Sequence, residues 1–224
     1  MPLPSRVPDP AVIVYLHGFA SSPKSTKAGY FRDRLRAHGV TFHCPDFNEP
    51  DFSTLTMTRM LDQLAHDVDV ADRASVTLMG SSLGGTLAVL AAERLGAKVD
   101  KLVLLAPAVM FAKPGHHLLP PERIAQWRHL GALPFFHYAY GEDRPLGVEF
   151  YEDSLRYDAY GARFAQPTLI FQGRRDASVD PGTVEAFARS RRHVTLSLLD
   201  DDHQLVASLP GIWADVEAFL GLVD

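Results

Sequence analysis

Short apolar runs recur along the chain, separated by stretches with a helical spacing of apolar residues. Six of the runs have the length and the β-branched character of buried strands. They are residues 11–16, 40–44, 76–79, 102–105, 168–171 and 194–199. Most are continuously apolar rather than alternating, which is typical of parallel strands that are covered on both faces.

Helices are predicted between these strands, at residues 26–38, 55–70, 83–95, 181–191 and 211–222. The second is the clearest, because Met57, Met60, Leu61, Leu64 and Val68 recur at the spacing of one helix face. Alternation of strands and helices predicts a doubly wound α/β fold, with about six mostly parallel strands and helices on both faces.

The segment 107–166 departs from this alternation, since it contains no convincing strand between two predicted ones. Connections between elements are usually ~4–6 residues long, so this one is exceptional. It carries 11 of the 22 aromatic residues of the chain. We expect a mostly helical cap over the C-terminal edge of the sheet, inserted after the fourth strand. Residues 1–224 then form a single domain with a cap insertion at about 107–166.

Composition and charge exclude several classes of protein. The net charge of -5 argues against a nucleic-acid-binding protein, because phosphate contacts need an excess of Lys and Arg. The only cysteine, Cys44, has no partner for an internal disulfide, which favours a reducing, cytoplasmic location. Residues 1–10 include four prolines and lack the apolar region of a signal peptide. The longest apolar run, 102–112, is shorter than the ~20 residues that span a bilayer, so no membrane association is expected.

A G-x-S-x-G motif spans residues 80–84, directly after a predicted strand and directly before a predicted helix. A serine on such a turn is held in a strained conformation that exposes its hydroxyl group. The spacing centres the motif on Ser82 and leaves Ser81 as a structural hydroxyl. A side chain at Gly80 or Gly84 is expected to collide with neighbouring backbone. We therefore predict that Ser82 is a nucleophile.

A serine nucleophile needs a base and an acid that orients the base, and the chain supplies both in the order Ser, acid, His. Asp176 follows the strand at 168–171, and His203 follows the strand at 194–199. Asp180 is a rival for the acid, but it precedes Pro181 as a helix N-cap. The carboxylates at 200–202 adjoin His203 too closely in sequence and are assigned to the loop and solvent. Asp176 and His203 are therefore the predicted partners of Ser82.

The oxyanion of the reaction requires backbone N–H donors. One is expected from Leu83, which follows the nucleophile at the positive end of a helix dipole. The other is expected from the loop after the first strand, where Phe19 is the best candidate. Gly18 permits the tight turn there, and His17 is expected to brace the loop by hydrogen bonding rather than to act as a second base.

No metal or cofactor is expected. His116 and His117 are adjacent, but the chain lacks the H-x-x-x-H and H-E-x-x-H spacings and has no cysteine cluster. It also lacks a G-x-G-x-x-G or a P-loop lysine pattern for a nucleotide.

Taken together, these residues resemble the α/β-hydrolase superfamily from residue 11 to the C-terminus. The stretch 15–28, YLHGFASSPKSTKA, and the stretch 80–85, GSSLGG, resemble more narrowly the YqiA-like bacterial esterases. The resemblance implies six strands in the order 4-3-5-6-7-8 in the superfamily's strand labels. It implies ester or thioester hydrolysis through an acyl-serine intermediate, with the triad Ser82, Asp176 and His203. The long segment 107–166 departs from compact YqiA-like members.

The expected function is therefore a carboxylesterase that acts on small to medium acyl esters, as a monomer or homodimer, with a small-molecule ester as its partner. One alternative is an acyl-CoA thioesterase, for which Lys24, Lys27 and Lys113 are candidate phosphate contacts. A small peptidase of the same fold is another. The third is a non-catalytic α/β-hydrolase scaffold that binds a ligand or a protein.

Overall fold

The computed structural model describes residues 11–71, 75–111 and 119–222. The expectations for residues 1–10, Lys113, His116 and His117 lie outside these ranges. The strands are β1 (Val12–Leu16), β2 (Thr41–His43), β3 (Val76–Ser81), β4 (Val99–Leu105), β5 (Ala132–His137), β6 (Glu142–Gly147), β7 (Thr168–Gly173) and β8 (Val194–Leu199). The helices are α1 (Thr26–Ala37), α2 (Met57–Val70), α3 (Leu83–Leu95), α4 (Pro121–Leu130), α5 (Glu149–Ser154), α6 (Pro181–Arg189) and α7 (Leu209–Leu220).

Six strands form one parallel sheet in the order β2-β1-β3-β4-β7-β8. This confirms the predicted fold class and strand order. Element boundaries differ by a few residues; α7, for example, starts two residues before the predicted position because Leu209 is already buried in its first turn.

The sheet separates two hydrophobic clusters, and side-chain alternation assigns each strand residue to one of them. Val14 and Leu104 pack towards α2, α3 and α6, whereas Tyr15 and Val103 pack towards α1 and α7. Both faces of the central strands are therefore buried, which explains why their sequences are continuously apolar.

Local capping fixes where several helices begin. The hydroxyl of Thr56 accepts a hydrogen bond from the Arg59 amide at the start of α2, at 3.1 Å. The carboxylate of Asp180 accepts one from the Thr183 amide at 2.8 Å, so its predicted role as the N-cap of α6 is confirmed. These contacts satisfy N–H groups that have no partner within the helix.

The inserted segment is only partly helical, so the expectation of a mostly helical cap without strands was wrong. Between α4 and α5 the chain forms the antiparallel hairpin β5–β6. Pro134 faces Pro145 across it, and these prolines disguised the strands in the sequence. A two-stranded sheet tolerates them because each strand has a free edge that needs no N–H donor.

The insertion shares its core with the main sheet. Its buried side chains belong to the same cluster as those of α2 and α3, and they include Ile124, Trp127, Leu133, Leu146 and Phe150. The indole of Trp127 donates a hydrogen bond to the carbonyl of Leu146 at 2.8 Å, which ties α4 to the hairpin. No helix in the described ranges combines the length and apolarity needed to cross a bilayer.

Candidate active site

The turn between β3 and α3 holds Ser82 in a left-handed backbone conformation, with φ 54° and ψ −116°. A non-glycine residue with positive φ costs free energy and persists only where its surroundings fix it. Here the Ser82 amide donates to the carbonyl of Leu105 at 2.9 Å, and the Ala108 amide donates to the carbonyl of Ser82 at 3.1 Å. Strand β4 and the residues after it therefore hold the turn.

The glycines around Ser82 leave no room for side chains. A Cβ at Gly80 would overlap the backbone of Gly84, and a Cβ at Gly84 would overlap the carbonyl of Leu16. A Cβ at Gly85 would lie 2.7 Å from the Cβ of Pro107. The predicted collisions are confirmed. Because these glycines have no side chains, α3 can begin directly against β1.

Three side chains that are distant in sequence meet at the C-terminal edge of the sheet. The Nε2 atom of His203 lies 3.1 Å from the Oγ of Ser82, and its Nδ1 lies 2.8 Å from the Oδ2 of Asp176. Ser82 and His203 are partly exposed, whereas the side chain of Asp176 is fully buried. The sheet thus brings together the alcohol, imidazole and carboxylate that the sequence singled out.

The carboxylate of Asp176 is surrounded by donors. Its Oδ1 accepts from the amides of Ser178 and Val179, both at 2.8 Å, and its Oδ2 accepts from the Gln172 side chain at 2.8 Å as well as from His203. Burial alone would raise the pKa of Asp176, but these hydrogen bonds outweigh it and hold the pKa below its usual value. The carboxylate is therefore ionised at neutral pH.

The rival residues have other contacts. Ser81 is buried and forms a side-chain hydrogen bond with Tyr15 beneath the turn. Asp180 caps α6, as described above. Asp201 belongs to the loop, as expected, but it is buried rather than in solvent and accepts hydrogen bonds from the amides of Asp202 and Ser208. Its carboxylate shapes the loop that carries His203.

The two amides expected to bind an oxyanion are those of Phe19 and Leu83. In the described ranges, neither the Phe19 nor the Leu83 amide donates to another protein atom. The loop with Phe19 passes close to the nucleophile, because a Cβ on Gly18 would lie 3.5 Å from the Cβ of Ser82. Leu83 is the first residue of α3, so the positive end of the helix dipole adds to its N–H.

His17 braces this loop by hydrogen bonds. Its Nε2 accepts from the amide of Phe47 at 3.1 Å, so its Nδ1 carries the proton and donates to the carbonyl of Gly18 at 2.9 Å. Asn48 continues the network, donating to the carbonyl of Ser21 at 2.8 Å and lying 2.9 Å from the Nε2 of His137 in β5. The inserted hairpin is therefore linked to the loop that carries Phe19.

Aromatic side chains surround that loop. The ring of Phe19 lies 5.4 Å from the ring of Phe150, 5.6 Å from that of Phe135 and 5.8 Å from that of Phe52. Phe19 and Phe135 remain partly exposed, as does Phe111 at the start of the insertion. Apolar surface therefore lies beside the candidate oxyanion site.

Two residues that contact the site, Gln172 and Lys27, were not predicted to do so from the sequence. Gln172 is fully buried at the end of β7, and the signal for it was a polar residue in an otherwise apolar strand. Lys27 was a candidate surface cation, but it is 9% exposed and its Nζ donates to the carbonyl of Gln204 at 2.9 Å. Nothing in the spacing of the sequence points to this contact, since the two residues are 177 positions apart.

Within the described ranges, no three His, Cys, Asp or Glu side chains are arranged to hold a metal ion. A hydroxyl, an imidazole and a carboxylate lie together at this edge of the sheet.

The sheet order and the strained serine between β3 and α3 are those of the α/β-hydrolase fold. A sequence model of UPF0227, an uncharacterised protein family, matches residues 12–219. The chain belongs to that family.

Solved structures share the fold at low sequence identity. Est1E from Butyrivibrio proteoclasticus, solved with ferulic acid, superposes with a TM-score of 0.81 at 21% identity over 94% of this chain and 88% of that one. Mouse alpha/beta hydrolase domain-containing protein 10 gives 0.78 at 20% identity over 98% and 92%. A monoacylglycerol lipase from Paleococcus ferrophilus gives 0.75 at 15% identity over 95% of each chain.

One curated relative matches over part of the chain. The biotin biosynthesis bifunctional protein BioHC of Teredinibacter turnerae is 30% identical over 128 residues, which are 54% of this chain and 21% of that protein. The match thus spans about a fifth of the relative's length.

Proposed function

We propose that this protein is a serine esterase that cleaves carboxylic esters of small to medium acyl groups through an acyl-serine intermediate. The observation that carries the proposal is the continuous relay from Ser82 Oγ through His203 to the carboxylate of Asp176, at 3.1 and 2.8 Å. A serine hydroxyl is a weak nucleophile at neutral pH, and this relay supplies the base that activates it.

In the first half of the reaction, Nε2 of His203 takes the proton of Ser82 as Oγ bonds to the ester carbonyl carbon. Asp176 accepts a hydrogen bond from the Nδ1–H of His203, which leaves Nε2 free as the base, and its negative charge stabilises the imidazolium that forms. His203 then gives its proton to the leaving alcohol as the ester C–O bond breaks. Water repeats the sequence on the acyl-serine and releases the acid.

The negative charge on the carbonyl oxygen is stabilised by the N–H groups of Phe19 and Leu83. Each such donor is worth about 3 kcal/mol in the transition state. The aromatic side chains beside Phe19 favour an apolar acyl or aryl group over a charged one. The esterase and lipase named among the structural neighbours support ester substrates by analogy of fold.

The test compares the wild type with Ser82→Ala and Ser81→Ala. We expect Ser82→Ala to lose labelling by a fluorophosphonate probe and to lower kcat on p-nitrophenyl esters by at least ~10³-fold. Ser81→Ala, the matched control, keeps its labelling. Equal labelling of Ser82→Ala and the wild type would disprove the assignment.

A substrate panel separates the alternatives. p-Nitrophenyl esters, acyl-CoAs and aminoacyl amides test the esterase, the thioesterase and the peptidase in turn. The burial of Lys27 removes one of the three lysines that a CoA site was expected to use. Ligand binding without turnover of any of these substrates would identify a non-catalytic scaffold.

A further inference from the structure

A buried lysine lies directly behind the loop that carries His203. Lys27 is the second residue of α1, on the face of the sheet that α1 and α7 cover. Its Nζ donates to the carbonyl of Gln204, the residue after His203, at 2.9 Å. This is its one hydrogen bond in the described ranges, although an ammonium group has three donors.

Burial of such a group costs free energy, so its position calls for a physical explanation. Desolvation lowers the pKa of Lys27 to about 8, against the opposing influence of Asp202, Asp176 and Asp201. The group is therefore mostly charged at neutral pH. Its charge lies in a low-dielectric region, where its effect on neighbouring groups is larger than at the surface.

The loop beside it is under constraint. Leu205 has a φ of 57° and is fully buried, and the Gln204 amide donates to the Asp202 carboxylate at 2.8 Å. The bond from Lys27 holds the carbonyl between these two fixed points. A small shift of this carbonyl would move the imidazole of His203, the preceding residue.

We propose that Lys27 is a positioning residue for His203: its ammonium group anchors the loop through Gln204, and its charge favours the neutral, proton-accepting imidazole. The proposal rests on the proposed function insofar as His203 is the base. Lys27 does not contact the reacting atoms. It acts through the loop and through the electrostatic field at the imidazole.

Several charged groups surround this lysine. Asp176 comes from the loop after β7, and Asp201 and Asp202 come from the loop after β8. The charge of Arg175 acts on Asp201 in turn. The carboxylate of Asp176 contacts His203 directly, so removal of Lys27 takes away a positive charge that opposes the effect of this carboxylate.

The experiment follows the protonation of His203 by NMR in the wild type, Lys27→Met and Lys27→Arg, with the signal assigned by loss in His203→Asn. In Lys27→Met we expect the imidazole to take up its proton at a pH ~0.5 unit higher, because a nearby positive charge is gone. Lys27→Arg should titrate as the wild type does. The matched control is Arg36→Met, which removes a positive charge from an exposed position on the same helix.

Kinetics on p-nitrophenyl esters test the anchoring. We expect Lys27→Met to lower the plateau kcat about tenfold with little change in KM, since a misaligned base loses transition-state stabilisation. The acid limb of kcat/KM should move with the NMR titration. Because the variant replaces a buried charge by an apolar side chain of similar length, its Tm should be at least that of the wild type.

Three results would overturn the proposal: a His203 titration in Lys27→Met that matches Arg36→Met, an unchanged kcat, or a loss of activity that follows a lower Tm. If Lys27→Met does not fold, Lys27→Gln replaces it, and we expect the same change in the titration of His203. If the wild type hydrolyses no ester, the proposed function fails, and the NMR titration alone still decides the role of Lys27.

Discussion

The turn at Ser82 and the turn of the β5–β6 hairpin both depend on glycine, but for different physical reasons. At Gly84, in α3, the backbone at the end of β1 occupies the space that a side chain would need, and the carbonyl of Leu16 is the closest group. At Gly141 the surrounding space is open, and the requirement is a φ of +69°. Tertiary packing constrains the first turn, whereas local conformation constrains the second.

The turn at Ser82 therefore cannot change without disturbing the fold, whereas the hairpin turn can. The turn at Ser82, which we call the elbow, lies where β1, β3, β4 and α3 meet, so a change there affects four elements at once. The hairpin packs against the rest of the molecule through Leu133 and Leu146 and through the 2.9 Å contact between His137 and Asn48, whereas its turn at Gly141 is exposed. Variation in the hairpin therefore alters the surroundings of the site without dismantling the site.

The largest effect is expected from Gly84→Ala. Its Cβ would overlap backbone atoms that belong to a central strand, so we expect little or no folded protein. Gly141→Ala is the matched variant and should cost about 1 kcal/mol, the strain of a left-handed alanine. Urea denaturation measures both. A Gly84→Ala protein as stable as Gly141→Ala would show that the elbow is as adaptable as the hairpin.

A smaller effect is expected from Trp127→Ala in the insertion. Its indole is fully buried against Phe135 and Tyr151 and donates to the carbonyl of Leu146. We expect a loss of ~3 kcal/mol, concentrated in the insertion. Hydrogen exchange should show lost protection in β5 and β6 and retained protection in β3 and β4. Equal losses in all four strands would mean that the insertion and the sheet unfold as one unit.

The smallest effect concerns the stability of the folded protein at low pH, to which Asp176 contributes. The pKa of Asp176 is lower in the folded chain than its usual value, so its contribution to stability is complete above about pH 4 and is lost as the pH falls through the folded pKa. Asp176→Asn should flatten the stability curve below about pH 4, because the variant has no carboxylate to protonate. Asp143→Asn, at an exposed hairpin position, is the control. Equal slopes in the wild type and Asp176→Asn would contradict the prediction.

Patterns in the sequence were sufficient for the sheet and for the three residues of the relay. The apolar runs located all six strands of the main sheet, and the inner strands β1, β3, β4 and β7 are mostly apolar because both of their faces are covered. Ser82, Asp176 and His203 each follow such a strand. Parallel strands place their C-terminal loops on one edge, so chain order alone brought the three residues to the same region.

The β5–β6 hairpin and the contacts of Gln172 and Lys27 could not be predicted from the apolar pattern. Strand β6 reads EDRPLG and carries four exposed residues, so no apolar period marks it. Lys27 donates to a backbone carbonyl 177 positions away, and such a partner has no signature in a side-chain pattern. Gln172 lies only four positions before Asp176, but the contact between their side chains depends on the conformation of the loop that joins them.

By itself, the sequence determined which segments form the strands of the main sheet, which serine lies on the strained turn, and which acid and imidazole follow the later strands. Only the tertiary structure decided that Gln172 supports the carboxylate, that Lys27 is buried behind the histidine loop, and that a hairpin lies against the loop of Phe19. The physical reason is that periodicity records whether a residue is buried, whereas a hydrogen bond between layers depends on the packing of complete elements.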